Sequence, residues 1–319
     1  MADSRRVDPL AVPPPRYDTV PNVLPDIAMI GTGAGAVRVQ RDSPLVITTP
    51  LPEQSWFHKH EPLVIGTASV VIVLSLWQLM GVVREQKIEL PLGITMPSRL
   101  FLPSPSDVIA SFGDLIADGE LAQDLAVSGQ EFFIGYFSAA ITGIVLGLLL
   151  GWYPRVRYAF DPFVNFLYAT PRIVLLPLFI IWFGIGVESK IAVIFLGAFF
   201  AILINTTAGV RNLDAHLIRV AHSFGANDLT IFKTIALPGS VPFILTGLRL
   251  GIGHALIGVV VGELVAAQHG IGRMMAIAGA TFQSSKVFAG LVFIAATGML
   301  LTYILQRLER HFDAWRPQR

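Results

Sequence analysis

Residues 211–263 read RNLDAHLIRVAHSFGANDLTIFKTIALPGSVPFILTGLRLGIGHALIGVVVGE, and their pattern decides the architecture. Within residues 215–226, Leu217, Val220, Ala221 and Phe224 recur at helical spacing, which predicts a short helix with one apolar face. Gly225 stands where such a helix ends. A second helical run, 229–237, is expected to stop at Pro238, because proline lacks an N–H and its ring crowds the preceding turn. From Pro242 the chain is apolar again, with Gly247, Gly251 and Ala255 four apart. A polar helix and a Leu-Pro step thus join two apolar segments.

The rest of the chain has the same apolar character. Of its 319 residues, 53% are hydrophobic and 14% charged, against about 25% charged in soluble domains. Mean hydropathy is +0.64. A large soluble core is the alternative, and apolar runs of membrane length argue against it. Six such runs stand out: 63–83, 132–152, 163–184, 191–210, 242–261 and 287–305. Pro171 and Pro177 interrupt the third, where they free carbonyls and predict a kink. In the second, Gly135, Ala139, Gly143, Gly147 and Gly151 fall every four residues, a stripe that lets another helix backbone approach closely in lipid. Residues 84–131 are polar and amphipathic. Pro103-Ser104-Pro105-Ser106 predicts a helix start with Ser106 as N-cap, followed by Val108, Ile109, Phe112, Leu115 and Ile116 on one face. This reads as an external helix lying on the membrane or on a partner.

The first sixty residues differ. They are rich in Pro, charge and small residues, show no helical period, and read as a mostly disordered extension. They also lack the apolar core of a cleavable signal. Gly31-Thr32-Gly33-Ala34-Gly35 resembles a phosphate loop only in composition; a tether is the better reading, since no strand and helix frame it. Trp56, Phe57, His58, Lys59 and His60 read as an interfacial anchor before the first run, or as a plain loop.

Fifteen basic residues fall on one side of a six-span layout and six on the other. The richer side holds both termini and the 211–241 loop, and it is expected to be cytoplasmic. Net charge is +1, so no global field attracts nucleic acid. No Cys is present, so thiol metal sites and disulfides are excluded. There is no Gly-Lys dipeptide, hence no Walker A loop, and no HExxH or G-x-S-x-G. No catalytic residue, metal site or cofactor is assigned to this chain.

The loop resembles a known family. Gly225, nine residues, then Ile235-x-Leu237-Pro238 is similar to the E-A-A-x-x-x-G, nine residues, I-x-L-P loop of permease subunits in binding-protein-dependent ATP-binding-cassette importers. Ala221 matches the second Ala, Val220 stands for the first, and Arg219 stands where the family usually has Glu. The continuation PFILTGLRLGIGHALIGVVVGE, with PRIVLLPLFIIWFGIG at 171–186, looks most like the nitrate, sulfonate, taurine and bicarbonate branch. The resemblance covers about residues 60–316.

It implies an all-α integral membrane fold of the type I importer class, with six transmembrane helices over 61–319, in a bacterial inner membrane. It implies a second copy of the chain, two ATPase subunits that bind ATP and Mg, and an external solute-binding protein. It makes residues 215–226 a coupling helix that docks in a groove on the ATPase. Arg219, Ala221, Ser223, Phe224, Gly225, Ala226, Asp228, Leu237 and Pro238 are the residues expected to carry that coupling. The alternative is an amphipathic loop lying on lipid. The implied function is passage of a small anion by alternating access.

Ionisable and polar residues within the runs are the candidates for a pathway or gate. Arg172, beside Pro171, either meets an anionic substrate or snorkels to the inner interface. Arg249 is expected to snorkel or pair with a carboxylate. Glu263 ends the fifth run and either closes an external gate, pairs with Arg273 or is simply exposed. Asn205, Thr206 and Thr207 either line a polar path or bond their own helix backbone. Gly270-Ile271-Gly272 opens a segment resembling the family's external helix before the last span. A secondary transporter would need repeated halves and buried carboxylates at mid-membrane, and neither is evident in the sequence. A non-transporting scaffold would not need the loop.

Overall fold

The computed structural model describes residues 27–30, 37–40, 56–85 and 101–312. Two compact units, Met1–Val71 and Ile72–Arg319, are taken separately. In the first, strands β1 (Ile27–Ile30) and β2 (Val37–Gln40) pair antiparallel, with Ile27 opposite Gln40. The extension therefore holds some regular structure, in strands of four residues that are too short to announce themselves by alternation. Residues 31–35, with the glycine run, lie outside the described residues, as do the side chains of residues 56–60 expected to anchor the chain.

Helix α1 (Trp56–Glu85) contains the first apolar run, Leu63–Val82. Helix α2 (Pro105–Ala117) starts two residues earlier than its expected cap. Ser104, not Ser106, is the N-cap: its hydroxyl accepts the Asp107 N–H while the Asp107 carboxylate accepts the Ser104 N–H, a reciprocal capping box. Pro105 then sits at the first helical position, where its missing N–H costs nothing. The expected apolar face of α2 divides. Val108 and Leu115 are buried with Ala289, while Ile109 and Ile116 face outward.

Helix α3 (Glu120–Trp152) is far longer than the run 132–152 that betrayed it. Its first turns are polar, so hydropathy alone leaves them in the amphipathic stretch 84–131. After α4 (Pro154–Ala169) the chain breaks at Thr170-Pro171, passes a 3-10 turn (Arg172–Leu175) and enters α5 (Leu176–Phe183). The two halves meet at 93°. Pro171 makes the break, as expected; Pro177 falls in the first turn of α5 and bends nothing. Helices α6 (Val187–Arg211), α7 (Ala215–Ser223), α8 (Asp228–Ile231), α9 (Leu237–Ala266), α10 (Ile271–Ala280) and α11 (Ser284–Phe312) complete the fold.

Five helical stretches are long and apolar enough to cross a membrane, and the bent α4–α5 pair makes a sixth if it counts as one span. Their core is α6, wedged between α3 and α9. On one side it meets the glycine stripe: a Cβ on Gly135 would lie 2.6 Å from Ile194 Cγ2, on Gly147 2.6 Å from Thr206 Cβ, and on Gly151 2.6 Å from Val210 Cβ. On the other side, α9 brings Gly247 to Asn205 and Gly258 to the Ile194 backbone. In lipid, where apolar contact alone gives helices little reason to associate, this close approach supplies the dispersion that holds them. Tyr136 adds a polar tie by donating from its hydroxyl to the Leu248 carbonyl at 2.9 Å.

Candidate functional site

The 211–263 segment folds into a short surface helix linked by short turns to the helices on either side. Asp214 caps α7, its carboxylate accepting the His216 N–H at 2.7 Å. The other end closes on Gly225, at φ 77°, a left-handed position that glycine occupies without strain. The Gly225 N–H donates to the His222 carbonyl and the Ala226 N–H to the Ala221 carbonyl, which together form a Schellman stop. Ala221 and Gly225 are thus three and one residues either side of one turn, and that turn explains their fixed spacing.

Asn227 caps α8 by accepting the Thr230 N–H at 2.8 Å. Beyond it the helix does not stop. Residues Phe232–Ala236 form a π turn, with the Leu237 N–H reaching the Phe232 carbonyl, and the helical stretch runs unbroken from Asp228 to Ala266. The expected stop at Pro238 is therefore corrected, and so is the start of the span at Pro242. A π turn is wider than an α turn, and it gives the Pro238 ring room where α geometry would press it on the carbonyl four residues back. The loop is seated from both sides: a Cβ on Gly239 would strike Leu213 Cδ2, and the Trp152 and Phe232 rings lie 5.3 Å apart.

No residue of α7 is buried. Its apolar face is expected from the spacing of Leu217, Val220, Ala221 and Phe224, and among the described residues that face is left largely open. Phe224 is 87% exposed and Leu217 53%. Arg219, Ser223 and Asp228 are also exposed, while Ala221 and Ala226 are half-buried at the turn.

The opposite ends of the long helices are tied by buried polar groups. The Glu263 carboxylate accepts the Ser128 hydroxyl at 2.6 Å and the Gly272 N–H at 2.7 Å. Asp124 accepts the Gly270 N–H at 2.8 Å, and Ser128 Oγ accepts the Ile271 N–H at 3.0 Å. Three otherwise orphaned amides at the start of α10 are satisfied this way. Glu263 is 1% exposed and does not pair with Arg273, so both its pairing with Arg273 and its exposure at the interface are overturned. Beside it Lys190 and Glu131, 3% and 0% exposed, form an ion pair between α6 and α3.

The sequence reading missed Asp124, Ser128, Glu131 and Lys190. A signal was there: 124, 128 and 131 share one helical face and continue into Gly135, the start of the stripe. Buried carboxylates therefore do exist, near the helix ends rather than at the centre: Lys190 stands three residues from the start of α6.

The remaining pathway candidates scatter. Thr206 is fully buried against Gly147, Asn205 Nδ2 donates to the Ala201 carbonyl of its own helix, and Thr207 Oγ1 donates to the Gly147 carbonyl. Only Asn205 bonds its own helix backbone, the second of the two readings; Thr206 packs against α3 and Thr207 ties α6 to it. Arg249 pairs with Glu309 of α11, as one of its expected roles. Arg172 lies at the α4–α5 break, its guanidinium 5.8 Å from the centre of the Tyr168 ring.

The long apolar helices form a multi-pass bundle with an exposed surface helix between two of them. Residues 143–316 match the family model described as the binding-protein-dependent transport system inner membrane component. A putative aliphatic sulfonates transport permease of Bacillus subtilis (strain 168) is 35% identical over 251 residues, covering 79% of this chain and 87% of that one. The taurine transport system permease of Escherichia coli (strain K12) is 37% identical over 223 residues, covering 68% and 81%. The inward-facing MetNI methionine ABC transporter shares the fold, with a TM-score of 0.54 at 20% identity over 60% of this chain and 95% of that one. The chain belongs to the binding-protein-dependent transport system inner membrane components, as a permease subunit of the ABC importer class, similar within it to the sulfonate and taurine members.

Proposed function

We propose that this chain forms half of the membrane conduit of an ATP-driven importer for a small anion of the sulfonate, taurine, nitrate or bicarbonate type. The observation that carries this reading is the unpartnered apolar face of α7, built on a helix joined rigidly to α6 and α9. A lone exposed Phe on a capped nine-residue helix has little reason to persist unless a partner covers it. The partner is a nucleotide-hydrolysing subunit that holds ATP and Mg, because this chain has no phosphate loop. Phe224 and Leu217 enter its groove; Ala221 keeps the approach low; Gly225 and Ala226 fix the turn. Arg219, Ser223 and Asp228 frame the contact, and Leu237 and Pro238 pass its motion into α9. Two copies of the chain, two such subunits and an external solute-binding protein complete the complex, which works by alternating access. The α7 loop and both termini face the cytoplasm.

The names of the sulfonate and taurine relatives support the anion class. The test is affinity capture of the tagged full chain from membranes: a Walker A protein should co-purify in equal amount, and its absence contradicts the reading. Arg219 replaces an acidic family position, so its groove should be acidic. Arg219→Glu should then lower the captured ATPase several-fold, and unchanged capture rejects that contact.

A further inference from the structure

Arg172 is placed where an arginine lacks what it needs. It opens the turn after the 93° break and borders a recess of about 40 Å³ with Ile173, Val193, Gly197, His254 and Ile257. The recess lies between α6 and α9, with Val193 and Gly197 on one side and His254 to Val261 on the other. A charge facing a membrane span is costly unless something answers it.

Two other cations on the long helices are answered, Lys190 by Glu131 and Arg249 by Glu309. Among the described residues no carboxylate forms an ion pair with Arg172, and its guanidinium lies 5.8 Å from the centre of the Tyr168 ring. His254 faces the same recess from α9. Its Nδ1 lies 3.0 Å from the Leu250 carbonyl, which can only accept, so Nδ1 carries hydrogen and Nε2 is left for a second contact.

We propose that Arg172 and His254 form one half of an oxyanion-binding site at the break between α4 and α5. The ligand class is a small sulfonate-like anion whose oxygens take the guanidinium N–H groups in a forked contact, with the His254 ring lining the recess beside it. The proposal rests on the anion-importer reading and names a site for its cargo.

The chain has no Cys, so Ile257→Cys places a single thiol beside the recess. The full-length chain in lipid nanodiscs is reacted with two methanethiosulfonates, one carrying sulfonate and one trimethylammonium, each rate being taken relative to free cysteine. The sulfonate reagent should react about tenfold faster than the cationic one, as expected where one unanswered charge acts at short range. Arg172→Gln should bring the ratio to about one or below; Arg172→Lys should keep most of it; His254→Gln should lower it in part. Millimolar methanesulfonate should slow the reaction only when Arg172 is present. Equal rates, a ratio unchanged by Arg172→Gln in a chain that still elutes as folded protein, or no reaction with either reagent overturns the proposal. Labelling reads the chain alone, so a missing ATPase would defeat the importer reading without touching this result.

Discussion

The two ends of the long helices are built on opposite terms. At the α10 end the buried polar groups meet one another inside the chain: Glu263 holds Ser128 and Gly272, Asp124 holds Gly270, and Lys190 pairs with Glu131. At the α7 end the backbone is satisfied by caps, yet the apolar side chains are left open, with Phe224 87% exposed. The first end is complete as a single chain and resists change. The second is stiff but unfinished, which is what a surface needs if it must transmit force from something else without deforming. The contrast separates residues that hold the fold from residues that serve a partner, and it can be tested by substitution.

The largest loss of stability should come from Lys190→Met, which strands a buried carboxylate. Breaking one side of such a pair costs about 3–5 kcal/mol, whereas removing both sides is often neutral. The double change Lys190→Met with Glu131→Gln should therefore recover most of the loss in a thermal-melt assay in detergent. Failure to recover would show that the pair acts separately. Glu263→Ala comes next, since it leaves the Ser128 hydroxyl and the Gly272 N–H unpaired at about 1–3 kcal/mol. It should loosen α10, read as faster amide exchange over residues 270–280, while exchange in α7 stays the same. Gly225→Ala is smaller, roughly 1 kcal/mol, because it puts a side chain at φ 77° with open space around it. Its signature should be local fraying of α7 with the bundle melting as before.

Much of this division was legible in the residues. The stripe from Gly135 to Gly151 named the face that packs on α6, because a four-residue period of small residues has one physical use in lipid. The spacing from Ala221 to Gly225 named the turn, because a Schellman stop needs a left-handed residue there. What was hidden depended on distant partners. Glu263 and Gly272 lie nine residues apart and read as unrelated until Ser128, over a hundred residues away, brings them to one carboxylate. For Arg249 a carboxylate partner is one expected role, and only the fold identifies that partner as Glu309, sixty residues on. The helix continuing through Pro238 was hidden for a local reason: the rule against proline assumes α geometry, and the chain evades it with a π turn.

The central claim is that α7 is a finished lever with an unfinished surface. The most direct measurement uses Ala221→Asp with Phe224→Asp in the tagged full chain, comparing membrane level, melting temperature and captured ATPase subunit. No residue of α7 is buried and Phe224 is 87% exposed, so the chain should reach the membrane at normal level and melt within about a degree or two of the parent, as surface changes do. Captured ATPase and solute uptake should both fall to background. Normal capture and uptake by this variant would contradict the account.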